Sequence, residues 1–364
     1  MLIYVCLSSH GFGHAARQAA MLTHLHRLQP SWRLVISSMV DPVFLSLVLN
    51  ELPVIQRSVR WDVGMLQADA LGSDQEATLL ALDRLEADLP RKLDEEVAWI
   101  RGQDDQVAVV GDVPPAAAAL AARLDAPLIW MGNFGWDDIY EPLGGAFLFW
   151  ARQATEAYRS GSLLLRCPFS MAMNWQLSEV TLSLVSDEPR PLPADFRLLL
   201  DRDPRSKVMV GFGGLGFSLD PDLFQRWPEH LFLIAPPKNP RQPPAQAWPG
   251  NVIVLPDRVR PLDVLPNCER HLGKPGFSSF CEGMAQNVGL HVVERTGFAE
   301  ADVLMAGLRL HSDHHCLSRE ELEGGAWKLD IPLEAARGKA LARNGAQTAA
   351  EALQSWLSET VKQG

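Results

Sequence analysis

The stretch LIYVCLSSHGFGHAARQAAMLTHLHRL, residues 2–28, decides the fold of this chain. Leu2–Leu7 is a continuous apolar run of strand length, and a loop rich in serine, glycine and histidine follows it. From Ala15 to about Leu28 apolar residues recur at helical spacing. A strand, a glycine-containing loop and a helix in this order predict the start of a doubly wound α/β domain. The glycines do not follow the G-x-G-x-x-G pattern, which disfavours a dinucleotide-binding domain of the dehydrogenase kind.

Strands and helices alternate along the rest of the chain, which predicts parallel strands joined by crossover connections. In the first half we expect strands at 34–38, 54–58, 106–110, 127–131 and 162–166, and helices at 41–50, 74–100, 116–124 and 145–159. Three prolines in residues 186–194 favour an extended connection. We therefore predict a first domain at 1–188 and a second at 189–364, with a last helix within 333–362 able to cross back to the first domain.

A second strand and glycine loop follow this connection at once. Lys207–Val210 reads as a strand, and four of the next six residues are glycines. Their exposed backbone N–H groups suit a diphosphate, with Gly213 and Gly214 as the contacts. In this domain we expect further strands at 230–235, 252–255, 270–272 and 290–293, and helices at 280–288 and 299–308.

Composition limits the function classes. The chain has 364 residues, 47% of them hydrophobic, which suits two domains. A net charge of −11 disfavours a general nucleic-acid binder, whose affinity comes from phosphate neutralisation. Five cysteines without C-x-x-C spacing favour a reducing cytoplasm over a disulfide framework or a structural zinc site. The first apolar run is too short for a signal peptide or a transmembrane segment, while peripheral membrane contact stays open.

A glycine-proline loop, GKPGFSSFCE at residues 273–282, predicts an anion site. Its glycines allow close approach of a ligand, and a helix starting there would present free N–H groups and a partial positive charge to a phosphate. Glu282 could accept hydrogen bonds from sugar hydroxyls. The Walker spacing is absent, and a structural loop with a serine-capped helix explains the pattern equally well. The expected phosphate contacts are Lys274, Gly276, Ser278 and Ser279.

His14 and Asp112 are the candidates for proton transfer. His14 follows the first strand, where open α/β sheets bind ligands, and a neutral histidine there can take a proton from an attacking hydroxyl. His10 competes for this role, and Gly13 lets a ligand approach. Asp112 ends a later strand of the same predicted sheet, so it could fix the tautomer of His14. Alternatively, His14 lines a wall and Asp112 caps the helix that follows it.

Three stretches of the chain resemble GT-B glycosyltransferases, in the branch that includes the N-terminal half of L-arabinokinase-like proteins. SSHGFGHAARQAAML is similar to the opening GHGFGHATR of that branch. VVGDVPPAAAALAARLDAPLIWMGNFGWDDIYE is similar to its SDxxPxAxxxAxxxxxPxxxxxNFxWDxIY pattern, and GKPGFSSFCE to its GKPGxGTxSE loop. Here Ser278-Ser279 replace Gly-Thr, and Cys281 replaces Ser. A more distant resemblance is to the lipid-linked N-acetylglucosaminyltransferases of cell-wall synthesis.

The resemblance implies two Rossmann-like doubly wound domains facing across a cleft. It also implies transfer of a sugar from a nucleoside diphosphate, with UDP favoured, to an acceptor hydroxyl, without a metal or other cofactor. His14 would be the base, Asp112 its partner, and Glu282 the ribose contact. The expected sugar or acceptor contacts are His10, Gly13, Phe134, Trp136, Asp137 and Glu300. For the two aromatic residues, packing between domains is an equally open interpretation.

Two other functions remain compatible with the sequence. One is a nucleotide-sugar epimerase or hydrolase on the same fold, and the other is a non-catalytic nucleotide-sugar sensor. The histidines at 311, 314 and 315 suggest a metal cluster only weakly, because they are crowded. Two Asp-x-Asp pairs, at 201–203 and 220–222, are better explained as turns. No metal site is therefore expected.

Overall fold

The computed structural model describes residues 1–66, 74–212, 219–235, 248–294 and 298–363. The chain divides into two compact units. The first unit contains Met1–Asp187, Gly297–Val303 and Arg343–Gly364, and the second contains Glu188–Thr296 and Leu304–Ala342.

The first unit is built on a parallel sheet of seven strands in the order β3-β2-β1-β4-β5-β6-β7. Its strands are β1 Leu2–Leu7, β2 Arg33–Ser37, β3 Val54–Arg57, β4 Val107–Asp112, β5 Leu128–Gly132, β6 Leu163–Arg166 and β7 Glu179–Thr181. Its helices are α1 Phe12–Leu28, α2 Pro42–Leu49, α3 Gln75–Arg101, α4 Ala116–Leu124, α5 Trp136–Tyr140, α6 Phe147–Arg159 and the final helix α12 Gly345–Gln363, which packs against α1.

The second unit is built on a parallel sheet of six strands in the order β10-β9-β8-β11-β12-β13. Its strands are β8 Ser206–Gly211, β9 His230–Ile234, β10 Val252–Val254, β11 Arg270–Gly273, β12 Gly289–Val293 and β13 His314–Leu317. Its helices are α7 Ala194–Arg202, α8 Pro261–Val264, α9 Phe277–Ala285, α11 Arg319–Glu323 and most of α10 Glu300–His311, whose first turn belongs to the first unit.

The prediction of two Rossmann-like α/β sheets is confirmed. The predicted alternation is present, but the edge strands β7 and β13 were missed because neither contains a continuous apolar run. The expected helix at 280–288 begins earlier, at Phe277. In the segment 333–362 the helix begins only at Gly345.

Each sheet changes its winding direction between two neighbouring strands, and the carboxyl ends of those strands are left open for ligands. In the first sheet the neighbours are β1 and β4, with Leu7 paired to Asp112. In the second sheet they are β8 and β11, with Gly211 paired to Gly273. The loop at residues 8–11, called the histidine loop because it contains His10 and leads to His14, starts at this point of the first sheet, and the GKPG loop starts at the corresponding point of the second.

Two of the buried histidines in the second sheet have strongly lowered pKa values. His291 on β12 is fully buried, with Nδ1 2.9 Å from the backbone oxygen of Trp327. Burial, and then the neighbouring His315, lowers the pKa of His291 to about 3. Burial alone lowers the pKa of His271 on β11 to about 4. Both histidines are thus neutral in the folded protein at physiological pH.

Acid is expected to destabilise the fold through His291. The folded residue stays neutral while an unfolded histidine takes up a proton near pH 6.5, so proton uptake favours unfolding as the pH falls. Between pH 7.5 and pH 5 this costs roughly 2 kcal/mol. Urea unfolding of both proteins is measured at both pH values. From pH 7.5 to pH 5, the free energy of unfolding of the native protein should fall by roughly 2 kcal/mol more than that of His291→Gln.

The comparison isolates one group. Burial raises the pKa of Asp137 to about 6, so protonation of Asp137 stabilises the folded state as the pH falls. This contribution is the same in the native protein and in His291→Gln, so it cancels in the comparison. Equal losses of stability in the native protein and in His291→Gln would show that His291 is not held neutral.

Candidate functional site

His14 lies in the first turn of α1, and Asp112 is the last residue of β4. Because β1 and β4 are neighbours in register, the loop leading to His14 starts beside Asp112. Nδ1 of His14 is 2.8 Å from Oδ1 of Asp112. Asp112 is fully buried, and His14 is 8% exposed. The structure therefore brings these two predicted residues together. The capping alternative is wrong, because Pro115 holds the N-cap position of α4 without a side-chain bond.

Asp112 accepts hydrogen bonds from more than His14. Nε of Arg17 donates to Oδ2 at 2.7 Å, and Nη2 of Arg17 donates to Oδ1. Nε2 of Gln18 donates to Oδ2 at 2.7 Å. Burial alone would raise the pKa of Asp112, but the charge and hydrogen bonds of Arg17, and then those of His14, outweigh it and lower the pKa to about 2. Asp112 is consequently an ionised carboxylate that only accepts hydrogen bonds.

This carboxylate favours one tautomer of His14. An ionised carboxylate only accepts, so its 2.8 Å contact with Nδ1 of His14 is a hydrogen bond when Nδ1 carries the proton. Nη2 of Arg17, 2.9 Å from the same nitrogen, then makes no hydrogen bond to it. Nε2 then keeps its lone pair. A histidine with Nε2 as an acceptor, backed by a fixed carboxylate, has the form required of a general base.

A series of hydrogen bonds also connects Arg17 to α10. Nη1 of Arg17 donates to Oδ1 of Asn133 at 2.8 Å, and Nδ2 of Asn133 donates to Oε1 of Glu300 at 2.8 Å. Glu300 opens α10, and its segment belongs to the first unit. The structure thus connects a predicted substrate contact, Glu300, to the His14–Asp112 pair through two polar side chains.

Three residues of this network, Arg17, Gln18 and Asn133, were not predicted from the sequence. A signal for the first two was present, since they stand three and four positions after His14 and so share its helix face. Buried polar residues on that face require partners, and Asp112 supplies them. Asn133 carried no comparable local signal, because its bond to Glu300 spans 167 positions of the chain.

His10 lies among aromatic rings beside the dyad. Its ring stacks on Phe298, with centroids 5.8 Å apart and an interplanar angle of 20°, and meets Trp136 edge-on at 5.2 Å. Gly64 has a φ of +72°, and a Cβ there would stand 2.5 Å from Nδ1 of His10. Only glycine leaves the space that this ring occupies. Gly13 directly precedes His14 within α1.

Asp62 is a second buried carboxylate near the histidine loop, and it was not predicted from the sequence. It is 4% exposed, and its Oδ2 accepts a hydrogen bond from Nε1 of Trp136 at 2.9 Å. Burial raises the pKa of Asp62, against smaller lowering effects from hydrogen bonds of Ser8 and Trp136. Asp62 orients Trp136, which in turn packs against His10.

The predicted sugar contacts of the NFGWDD segment are largely buried. Phe134 meets the His14 ring edge-on at 5.8 Å, and Phe134 and Trp136 are 2% and 1% exposed. Oδ2 of Asp137 accepts hydrogen bonds from Nε1 of Trp175 at 2.9 Å and from Oγ1 of Thr155 at 3.2 Å. These contacts give Asp137 a structural part in the fold. Binding of a sugar by these three residues stays a prediction.

In the second unit, the predicted phosphate contacts gather after β11. Gly276 is the N-cap of α9, without a side-chain cap, so the expectation that Ser278 or Ser279 caps this helix is wrong. Both serines lie in the first turn of α9. Lys274 precedes the helix and Glu282 lies in its second turn, both partly exposed. Gly213 and Gly214 lie outside the described residues.

Within the described ranges, no group of three or more His, Cys, Asp or Glu side chains is placed to hold a metal ion. His314 and His315 are instead part of β13. The helices of the described part of the chain include none with the length and apolar character needed to cross a bilayer.

Two parallel doubly wound sheets, one with polar side chains at the carboxyl ends of its central strands, define a protein of the GT-B fold. Solved structures share this fold. Arabidopsis thaliana UGT89C1 in complex with UDP-L-rhamnose matches with a TM-score of 0.62 at 15% identity, over 96% of this chain and 93% of that one. The UDP-glucosyltransferase of Polygonum tinctorium, which glucosylates indoxyl, matches with a TM-score of 0.61 at 14% identity, over 90% and 88%.

A third structure, the spinosyn forosaminyltransferase SpnP, matches with a TM-score of 0.57 at 12% identity, over 99% of this chain and 95% of that one. Among curated sequences, the L-arabinokinase of Arabidopsis thaliana is 28% identical in an alignment 331 residues long that covers 88% of this chain. The chain spans about a third of that relative, since the match covers 31% of it. No protein-family model matches the chain.

Proposed function

We propose that this protein is a glycosyltransferase of the arabinokinase-like branch, which moves a sugar from a nucleoside diphosphate to an acceptor hydroxyl. The observation that carries the proposal is the 2.8 Å contact between His14 and Asp112 at the carboxyl edge of the first sheet. This contact presents Nε2 of His14 as a proton acceptor at the place where such sheets bind ligands. The shared fold with sugar-transferring enzymes and the 28% identity to an L-arabinokinase support it.

In the proposed reaction, Nε2 of His14 removes the proton of the acceptor hydroxyl. The hydroxyl oxygen then forms a bond to the anomeric carbon of the donor sugar. The bond from that carbon to the diphosphate oxygen breaks, and the diphosphate leaves with the electron pair. Asp112 balances the positive charge that His14 gains, and so stabilises the transition state rather than the bound substrate.

The departing diphosphate is the second place where charge develops. The backbone N–H groups at the start of α9, together with the charge of Lys274, would stabilise a negative charge in front of that helix. The proposal involves no metal ion and no cofactor other than the donor itself. Glu282 holds the ribose, and Glu300, fixed by Asn133, contacts a sugar hydroxyl.

UDP is the proposed donor nucleotide, and a cytoplasmic location the proposed setting. The first is supported by solved structures of the same fold that were determined with UDP or UDP-L-rhamnose. The cytoplasmic location is supported by cysteine usage, because none of the five cysteines has C-x-x-C spacing. Four of them are buried thiols: Cys6, Cys167, Cys268 and Cys281.

A thermal-shift screen against nucleoside diphosphates and their sugars tests the donor part of the proposal. A ligand at about 100 times its dissociation constant stabilises the folded state by about 2.7 kcal/mol, which should raise the melting temperature by several degrees. Lys274→Ala and Glu282→Ala should each reduce this shift. Lys339→Ala and Glu229→Ala, which remove exposed residues elsewhere in the second unit, should leave it unchanged.

No shift with any nucleotide from a folded sample would remove the donor part of the proposal. A shift that Lys274→Ala and Glu282→Ala leave intact would instead place the nucleotide away from the GKPG loop.

A further inference from the structure

The charges around His14 do not form a simple histidine–carboxylate pair. Asp112 approaches the ring from β4 and Arg17 approaches it from α1, with Nη2 of Arg17 2.9 Å from Nδ1 of His14. Asp62 acts on His14 from the segment after β3, at longer range. Glu300 of α10 acts on Arg17, to which Asn133 connects it. Of these groups, only Arg17 brings positive charge to the ring.

A buried carboxylate beside His14 does not act equally on the neutral and the charged form of the ring. An opposite charge within a few ångströms favours the charged form of a titratable group, and the effect is stronger where water is excluded. Asp112 without a second partner would therefore stabilise the imidazolium form of His14 relative to the neutral ring. An imidazolium donates from both nitrogens and has no lone pair with which to take a proton.

Arg17 removes this difficulty by its position. Its guanidinium reaches both carboxylate oxygens, so the carboxylate is neutralised in place by a fixed cation. The same cation lies beside Nδ1 of His14, where it repels a second positive charge on the ring. Gln18 also donates to Asp112, but as a neutral group, so it satisfies a lone pair without changing the charge balance.

We infer that Arg17 is a positioning residue that carries the charge of Asp112 and thereby keeps His14 a neutral imidazole, protonated on Nδ1 and free on Nε2. The inference deepens the base role proposed for His14. Through Asn133 the same guanidinium fixes Glu300, so one side chain orients both the base and a carboxylate expected to contact sugar. Arg17 itself touches no reacting atom.

The test is the ¹⁵N NMR spectrum of the ligand-free, full-length protein with labelled histidine rings, recorded at pH 7.5. Ring nitrogen shifts distinguish the two neutral tautomers from the imidazolium, and the signal of His14 is assigned by its loss in His14→Gln. In the native protein we expect the Nδ1–H tautomer. In Arg17→Gln, which keeps a hydrogen-bond donor but removes the charge, we expect the ratio of imidazolium to neutral ring to rise roughly tenfold or more.

Two variants separate charge from packing. Arg17→Lys keeps the cation and should keep His14 neutral, whereas Gln18→Leu removes a neutral donor to the same carboxylate and should leave the ring unchanged. If Arg17→Gln does not fold, its spectrum is recorded in sucrose, which favours the folded state. If it still does not fold, Arg17→Lys decides, and an imidazolium in that variant contradicts the inference.

An unchanged His14 signal in folded Arg17→Gln would also overturn the inference, as would an equal change in Gln18→Leu. No ligand or turnover enters this measurement. Its failure is therefore distinguishable from failure of the proposed transferase activity, which is read from product formation.

Discussion

His14→Ala is expected to lower the turnover number for sugar transfer by roughly 10²–10⁴-fold, the usual contribution of a positioned general base. The variant removes Nε2, the atom proposed to take the acceptor proton. His14 lies in α1, just after the carboxyl end of β1 in the first unit, whereas the proposed donor contacts lie after β11 in the second unit. The dissociation constant of the donor should therefore change by less than about threefold, an energy difference under about 0.7 kcal/mol.

Initial rates of nucleoside diphosphate release and calorimetric donor binding, measured on the same preparations, would check this result. His26→Ala is a matched control, since it removes a histidine from the other end of α1, roughly 18 Å along the helix. It should retain the native rate. Loss of donor binding in His14→Ala, with turnover of the bound fraction preserved, would assign His14 a binding role instead.

Asp112→Asn is expected to lower the turnover number by a similar factor, roughly 10²–10⁴-fold. An amide at this position both donates and accepts, so it no longer requires the proton of His14 to sit on Nδ1. The substitution also leaves Arg17, a buried cation, without its charge partner beside the ring. Repulsion from Arg17 would then weaken whatever base remains.

Stability must be measured alongside activity for this variant. Removing one member of a buried ion pair costs roughly 3–5 kcal/mol, so part of any lost rate could come from unfolded protein. Rates are therefore corrected by the folded fraction from denaturant unfolding. Asp62→Asn is the comparison variant, because it neutralises another buried carboxylate near the same loop, and it should reduce turnover by less than about tenfold. A corrected rate for Asp112→Asn within about threefold of native would contradict the role given to Asp112.

The positions of His14 and Asp112 could be predicted because each follows directly from strand order. A histidine after β1 and an aspartate at the end of β4 meet wherever those strands are neighbours, and the pairing of Leu7 with Asp112 makes them so. The apolar runs of the central strands are equally visible in the sequence, since burial on both faces excludes polar residues there.

The rest of the site depends on contacts without a local pattern. Asn133 and Glu300 are distant in sequence, and the segment that carries Glu300 belongs to the first unit although most of α10 does not. Asp62 becomes recognisable only through its bond to Trp136. The start of α9 was misplaced because serines are preferred caps, whereas here Gly276 takes that position.

Acceptor-dependent turnover is the most direct test of the central claim. The purified protein would be incubated with the nucleotide sugar that gives the largest thermal shift and with pooled small molecules that carry hydroxyl groups. Mass spectrometry would follow the glycosylated product and the released nucleoside diphosphate together. The account predicts equal amounts of both, formed only with acceptor and lost in His14→Ala. Diphosphate release without an acceptor, or donor binding with no product from any acceptor class, would contradict it and indicate a hydrolase or a sensor.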